Sequence, residues 1–567
     1  LILKTMTELK EIDDDEAKTA AELPIRLQPE RIAIRAPHFV FWVLGEHASD
    51  AESRELRTTL DLDLQTEVEE IVEREVAKLA EKNVTSAAVV VLDAKNGDIL
   101  AMVGSADYFD DANNGAVNVA VSSRQPGSAL KPFTYALALK QGQTAASIIA
   151  DIPTQFLTQD GLPYTPRNYD FTTNGPVSLR DALGNSLNIA AVRTLEKVGV
   201  AQLLAFLQQA GITTLHERPE FYGLALTLGA GEVRLLELTQ AYGMFARQGK
   251  TLTLRSRLTD TPSPSGNALL DPRIAWLISD ILSDPTARLA EFGHESPLGF
   301  SYPVAAKTGT TRNSRDNWTL GYTPERIVGV WVGNADNAAM IDTSGVTGAA
   351  PIFHAVMNAS MRNEPKNTFP QPVGIVQRDV CRLTGKKPSE LCPGIRKEFF
   401  LTGTEPKEVD DTFRTLRIDI QNGLLVSEGC TVAEQTEKVF AFFPLELRPW
   451  ARDHGWPDPP TKISPRCALP TSRSSVQGSS VLITQPRNGD RFRISRTVPA
   501  EQQAVILRAT TEEGTVEWFD NGYKIGEGSG IDHRFAYEPV IGKHRIEARS
   551  GTAKDVIDIE VVDFNEE

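Results

Sequence analysis

The chain has 567 residues, 41% of them apolar and 24% charged, with a formal net charge of −16. That length divides into roughly three or four units, one of them large enough for a substantial core. The acidic balance argues against a nucleic-acid binder, whose affinity comes from neutralising phosphates. Leu1 to Ile12 is amphipathic, and Asp13-Asp14-Asp15-Glu16 starts a second short helix at its acid-preferring end. Arg57 to Asp61 reads as a strand that leads into a helix over 62–82, whose mixed charge suggests exposure on a linker domain. Ala87 to Asp93 is a buried strand, and Asn96-Gly97 turns it into a partner over Asp98 to Gly104.

Helical patterns then dominate to about residue 250, and strands return after 300. Strands, a helical block and strands again make an α+β sandwich, with the helix after Gly127 between its layers. From Pro365 the composition shifts to Pro, Lys and Cys, and 361–475 show little periodicity. Between Ser480 and Asp563 short alternating strands recur around an Asp520-Asn521-Gly522 turn, which predicts a β-sandwich with Trp518 in its core. No apolar run reaches the eighteen or so residues of a membrane span. Because the pattern is already under way at Leu1 with no signal peptide, the chain reads as a fragment or processed form, which leaves room for a lost N-terminal anchor.

The four cysteines all fall late, at Cys381, Cys392, Cys430 and Cys467. They lack Cys-x-x-Cys spacing, which weakens a zinc reading, and the histidines show no metal-binding spacing either. Two sequential disulfides, Cys381–Cys392 and Cys430–Cys467, fit an oxidising compartment and would contribute roughly 3 and 4 kcal/mol. Four reduced core cysteines are the alternative.

Three short motifs carry the chemistry. In Gln125-Pro126-Gly127-Ser128-Ala129-Leu130-Lys131-Pro132, a helix start near Gly127 puts Ser128 and Lys131 on one face at i, i+3. Pro132 is tolerable only in a first turn, where free N–H groups favour a developing oxyanion. A serine nucleophile needs a base, and Lys131 can serve only if neutral, so its ordinary value of about 10.4 must fall to near 7, which is about 4 kcal/mol. A dry cleft with a second cation would do this. Alone, Ser-x-x-Lys should recur by chance about twice in such a chain. The second motif, Ser186-Leu187-Asn188, ends a loop entering a helix; Ser186 can relay a proton and Asn188 can hold Lys131 and a substrate amide. A helix cap is its plainer reading. The third, Lys307-Thr308-Gly309-Thr310, follows an apolar stretch on a strand. There Gly309 would admit a ligand backbone, while Lys307 and the threonine hydroxyls would meet a substrate carboxylate.

The ordered trio, with 58 residues from Ser128 to Ser186 and 121 from there to Lys307, resembles the signature of the penicillin-recognising serine acyl-transferases. The likeness extends to Gly175-Pro176-Val177-Ser178-Leu179-Arg180, to Leu228-Gly229-Ala230-Gly231-Glu232-Val233, and to Asp316-Asn317-Trp318 with Gly321-Tyr322-Thr323-Pro324. On these motifs, residues 87–360 resemble the transpeptidase domain of the class A penicillin-binding proteins, while the cysteine-bearing segment and final β-sandwich resemble the C-terminal extension of the 1C type. The resemblance implies a multidomain α+β chain. Residues 1–37 would be the tail of a glycosyltransferase domain, 38–86 a linker domain and 87–360 the transpeptidase, an antiparallel sheet with helices and a helical subdomain. Residues 361–475 would be a cysteine-containing linker and 476–567 an Ig-like β-sandwich. The glycosyltransferase acid/base segment is missing, so the chain as given should not polymerise glycan.

The resemblance also implies a serine D,D-transpeptidase that needs no cofactor or metal. Ser128 would be the nucleophile, Lys131 its base, and Ser186, Asn188 and Lys307 their partners. Thr308, Gly309 and Thr310 would bind substrate, and the backbone N–H groups of Ser128 and Thr310 would hold the oxyanion. The implied partners are peptidoglycan stem peptides ending in D-Ala-D-Ala, β-lactams as covalent inhibitors, and other cell-wall synthesis proteins. The implied location is the periplasmic face of the inner membrane, on a membrane-anchored parent. Two alternatives stay open. One is a carboxypeptidase or β-lactamase, although no Glu-x-x-Leu-Asn lies between Asn188 and Lys307; the other is a non-catalytic β-lactam sensor or wall-binding scaffold.

Overall fold

A computed structural model describes residues 5–7, 9–10, 12–14, 17–18, 34–48, 55–158, 163–262, 266–293, 295–311, 314–427, 429–430, 432–467, 481–494, 503–511, 514–528 and 533–563. The paired helices expected before residue 34 fall largely outside the described residues. At the centre is an antiparallel sheet of β1 (Ser86–Asp93), β2 (Ile99–Val103), β3 (Ala305–Thr310), β4 (Asp316–Tyr322) and β5 (Arg326–Gly333). Its order is β2-β1-β5-β4-β3, which leaves β3 at an edge.

Strand alternation explains why β1 is apolar from Ala87 to Leu92. Ala88, Val90 and Leu92 enter one core, and Ala87, Val89 and Val91 enter another on the opposite face. The second core is closed by α1 (Leu62–Ala77), through Val68, Ile71, Val72 and Val76. A later helix over Ala350–Ser360 closes it too, with Ile352, Phe353, Val356 and Met357. This corrects the expectation of an exposed helix over 62–82, since α1 hides an apolar stripe beneath its charges and ends at Ala77. Asp61 caps it by accepting from the N–H groups of Asp63 and Leu64 at 3.1 Å each. The strand expected over 57–61 is reduced to an isolated bridge between Thr58 and Arg257.

The first core lies between the sheet and the helical block. That block includes α2 (Lys131–Lys140), α3 (Leu179–Gly184), α4 (Asn188–Val198), α5 (Leu235–Ala246) and α6 (Pro272–Ser283). Every residue of α2 except Lys140 is buried, so the helix behind Ser128 is enclosed on all sides, as expected. The turn ahead of it differs in detail: Gly127–Leu130 is a 3₁₀ turn, and the α-helix begins only at Lys131.

Residues after 361 are more ordered than their composition suggests. They form two antiparallel ribbons, Ile375–Cys381 with Ile395–Leu401 and Phe413–Asp419 with Gln435–Ala441. Both disulfides join the expected pairs, Cys381–Cys392 and Cys430–Cys467. The β-sandwich is present as two sheets, of three and five strands, with Trp518 fully buried between them. Both appended parts grip the helical block. Arg487 pairs with Glu196 and stacks 5.6 Å over the Phe156 ring, and Arg193 pairs with Glu446 at 3.2 Å.

The tightest of these contacts is buried. Arg180 on α3 donates from Nε and Nη2 to Glu398 at 2.7 to 3.0 Å, and also pairs with Asp280 on α6. Glu398 has no exposed surface. Breaking such a pair strands a buried charge. Glu398→Ala should therefore lower unfolding free energy by about 3 kcal/mol in urea titrations, whereas Glu446→Ala, at the half-exposed pair, should lower it by about 1 kcal/mol or less.

Candidate active site

The serine turn is seated on the sheet. Trp318 on β4 donates its indole N–H to the Gln125 carbonyl at 2.7 Å, and Tyr242 on α5 donates its hydroxyl to the Ala129 carbonyl at 2.7 Å. Gly127 has a φ of +56°, and a Cβ there would come within 2.6 Å of the Thr310 carbonyl oxygen. A Cβ on Gly309 would collide with the Pro126 carbonyl. The close approach that Gly309 permits is thus to the serine turn, not to a ligand, which corrects the sequence reading. The contact brings partly exposed Ser128 alongside the end of the β3 edge.

Two lysine amines converge in front of this turn. Lys131 Nζ donates to Asn188 Oδ1 at 2.7 Å, to Ser186 Oγ at 3.3 Å and to the Ser186 carbonyl. Lys307 Nζ, reaching in from β3, donates to the same Ser186 Oγ at 2.8 Å and to the Thr308 carbonyl at 3.0 Å. Both side chains are buried: Lys131 has no exposed surface and Lys307 has 2%. Desolvation penalises the charged form of each. Burial carries Lys307 down to about 7, opposed by Glu291. Burial and then the neighbouring Lys307 hold Lys131 well below its usual range, opposed by Glu291 and Asp151.

Ser186 sits between the amines with a φ of +57°, a left-handed conformation uncommon outside glycine and often found at functional sites. Asn188 is the first residue of α4, and its Nδ2 donates to the Arg167 carbonyl at 2.8 Å, which fixes the amide so that Oδ1 faces Lys131. Among the described residues Ser128 Oγ has no hydrogen bond; Lys131 is committed to Ser186 and Asn188 instead. Along β3, alternation turns Lys307 and Gly309 towards the serine turn and Thr308 and Thr310 to the other side. There the Thr310 hydroxyl accepts the Gly345 N–H at 2.9 Å.

The structure therefore brings together Lys131, Ser186, Asn188 and Lys307 directly, and seats Ser128 and Thr310 beside them through backbone contact. It adds groups that sequence reasoning missed. Glu291 opposes the displacement of both lysines from a short helix over Leu289–Phe292, and its N–H donates to Asn185 at 3.1 Å. No motif marks it. Asn168 and Asp151 lie behind Asn188; the one sign of them in the sequence is Leu187, which cannot cap α4. Among the described residues no group of His, Cys, Asp or Glu is arranged to hold a metal ion.

Comparison with known proteins gives one answer along most of the chain. Residues 87–358 match the penicillin binding protein transpeptidase domain, 371–415 the penicillin-binding protein 1A C-terminal domain, and 470–559 the penicillin-binding protein C-terminus family. Penicillin-binding protein 1C of Escherichia coli (strain K12) is 30% identical over 90% of this chain and 65% of its own length. Penicillin-binding protein 1A of Neisseria lactamica is 32% identical over 51% of this chain and 37% of its own. The chain thus spans less than two thirds of either relative. In fold, it is similar to the crystal structure of penicillin-binding protein 1A from Haemophilus influenzae, with a TM-score of 0.56 at 22% identity over 72% of this chain and 82% of that one.

The buried amines leave a mark on stability. Between about 7, the value of Lys307 in the folded chain, and its ordinary 10.5, the unfolded chain binds a proton that the folded chain does not. Stability contributed at this site therefore rises with pH across that window, by at most about 1.4 kcal/mol per pH unit for each lysine. Lys307→Met should flatten the rise in thermal midpoint between pH 7 and 9.5, measured against the parent chain.

Proposed function

We propose that this chain is a penicillin-binding protein whose residues 87–360 act as a serine D,D-transpeptidase that cross-links peptidoglycan stem peptides. The observation that carries this reading is the meeting of two buried amines on Ser186, one of them from Lys131, three residues after Ser128. Residues 361–475 and 476–567 are read as a cysteine-containing linker and a β-sandwich that brace the helical block.

In this mechanism Ser128 Oγ attacks the carbonyl between the two terminal D-alanines, and neutral Lys131 takes its proton. The uncharged amine is what desolvation and the Lys307 charge favour. The N–H groups of Ser128 and Thr310 hold the oxyanion, and each such donor is worth about 10²–10³ in rate. Ser186 relays the proton held by Lys131 to the departing D-alanine amine, receiving one from Lys131 as it gives its own away. Collapse of the intermediate breaks the peptide bond, leaves the acyl group on Ser128 and releases D-alanine. An amine of a neighbouring stem then attacks the ester, forms the cross-link and frees the serine. The backbone of the β3 edge is suited to pairing with an extended peptide, and Lys307 to its carboxylate.

β-Lactams would acylate the same serine. The two disulfides support an oxidising compartment, and the proposed location is the periplasmic face of the inner membrane. No helix among the described residues is long and apolar enough to cross a membrane.

Fluorescent penicillin followed by peptide mapping tests the assignment. The adduct should fall on Ser128, disappear in Ser128→Ala and form at least about 10²-fold more slowly in Lys131→Ala. The same chain without the drug should turn stem peptides into cross-linked dimers. Stable label without dimers would point to a sensor, and rapid release of the label to a hydrolase.

A further inference from the structure

The helix that presents Asn188 begins without a cap of its own. Leu187 occupies the position where Ser, Thr, Asp or Asn would accept the first free N–H groups, and it makes no such bond. The acceptor comes from twenty residues upstream. Asn168 Oδ1 accepts from Asn188 N at 2.8 Å and from Ile189 N at 3.3 Å.

Asn168 is itself held from behind. Its Nδ2 donates to Asp151 Oδ2 at 2.8 Å and to the Thr172 carbonyl at 3.0 Å. The same Asp151 oxygen accepts from Asn174 N at 2.9 Å and Asn174 Nδ2 at 2.8 Å. Asp151 has no exposed surface, and burying a carboxylate is costly unless donors surround it. Here the three donors come from the two asparagines of one loop, 168–174, whose preceding carbonyl, on Arg167, accepts from Asn188 Nδ2. A continuous line of hydrogen bonds therefore runs from Asp151 through Asn168 to the start of α4, and from Asn188 Oδ1 to the Lys131 amine.

Resting on the reading of Lys131 as the base, we propose that Asp151 and Asn168 are positioning residues: a remote N-cap that sets where α4 begins and which way Asn188 presents its oxygen, and thereby aims the Lys131 amine. Neither residue touches the reacting atoms. A helix start left uncapped frays within its first turn, and Asn188 is the first residue of that turn. A displacement of about 1 Å at a reacting group can cost about 10²-fold in rate.

The full chain, its Asn168→Ala and Asp151→Asn variants, fluorescent penicillin and amide hydrogen exchange test this together. Asn168→Ala should speed exchange of the Asn188 and Ile189 amides and slow acylation about ten- to a hundred-fold, with the reversible binding of penicillin that precedes acylation little changed. Asp151→Asn keeps the shape and removes a negative charge that faces Lys131 alongside Lys307 and Glu291. Its acylation–pH profile should therefore shift to lower pH, which a purely structural role would not produce. Faster amide exchange with wild-type acylation would overturn the proposal, as would slowed acylation with unchanged exchange, or an unmoved pH profile in Asp151→Asn. Failure of the underlying reading is told apart because the parent chain then takes no label on Ser128 at all.

Discussion

Two buried ammonium groups repel when they converge on one hydroxyl. Lys131 and Lys307, both shielded from water, donate to Ser186 Oγ at 3.3 and 2.8 Å. Each amine raises the penalty for charge on the other, so at least one is driven to its neutral form. The rest of the architecture can be understood as what keeps that meeting point dry and the three strands of chain around it in contact. Lys131 comes from an enclosed helix, Lys307 from the edge of a sheet covered on both faces, and Ser186 from a strained turn between two helices.

Holding such a place together takes support from outside the central domain. The helical block carries Ser186 and Asn188, and it is gripped from the rear by the Arg180–Glu398 pair, by Glu446 on Arg193 and by Arg487 on Phe156. These contacts come from the residues after 361, which among the described residues bring no grouping of reactive side chains of their own to the cleft. Their physical contribution is rigidity at the side of the cleft opposite the sheet.

Much of this was legible in the chain because its chemistry sits in contiguous words. Ser-x-x-Lys, Ser-x-Asn and Lys-Thr-Gly each place their residues by local geometry, whereas the disulfide pairing was one arrangement the spacing allowed and the structure selects it. What was not legible depends on distant partners. Asn168 caps a helix twenty residues away, and only Leu187 at the wrong position hints at the gap it fills. The charges of α1 mask Val68, Ile71, Val72 and Val76, whose partners on the sheet face and the Ala350–Ser360 helix no local pattern names. The ribbons after 361 escaped notice because their strands are largely exposed and bury side chains mainly at one end, which leaves little alternation to read.

The missing side chains at Gly127 and Gly309 have a consequence for how this cleft can change over generations. One backbone is pressed against another there, so any replacement must first push the serine turn off its strand. Natural variation in what the cleft admits is thereby steered away from its floor. It is left to exposed positions such as Tyr169 and Phe171, 66% and 76% exposed on the loop anchored by Asn168. Heritable differences between lineages should accumulate at such exposed positions while the floor stays constant.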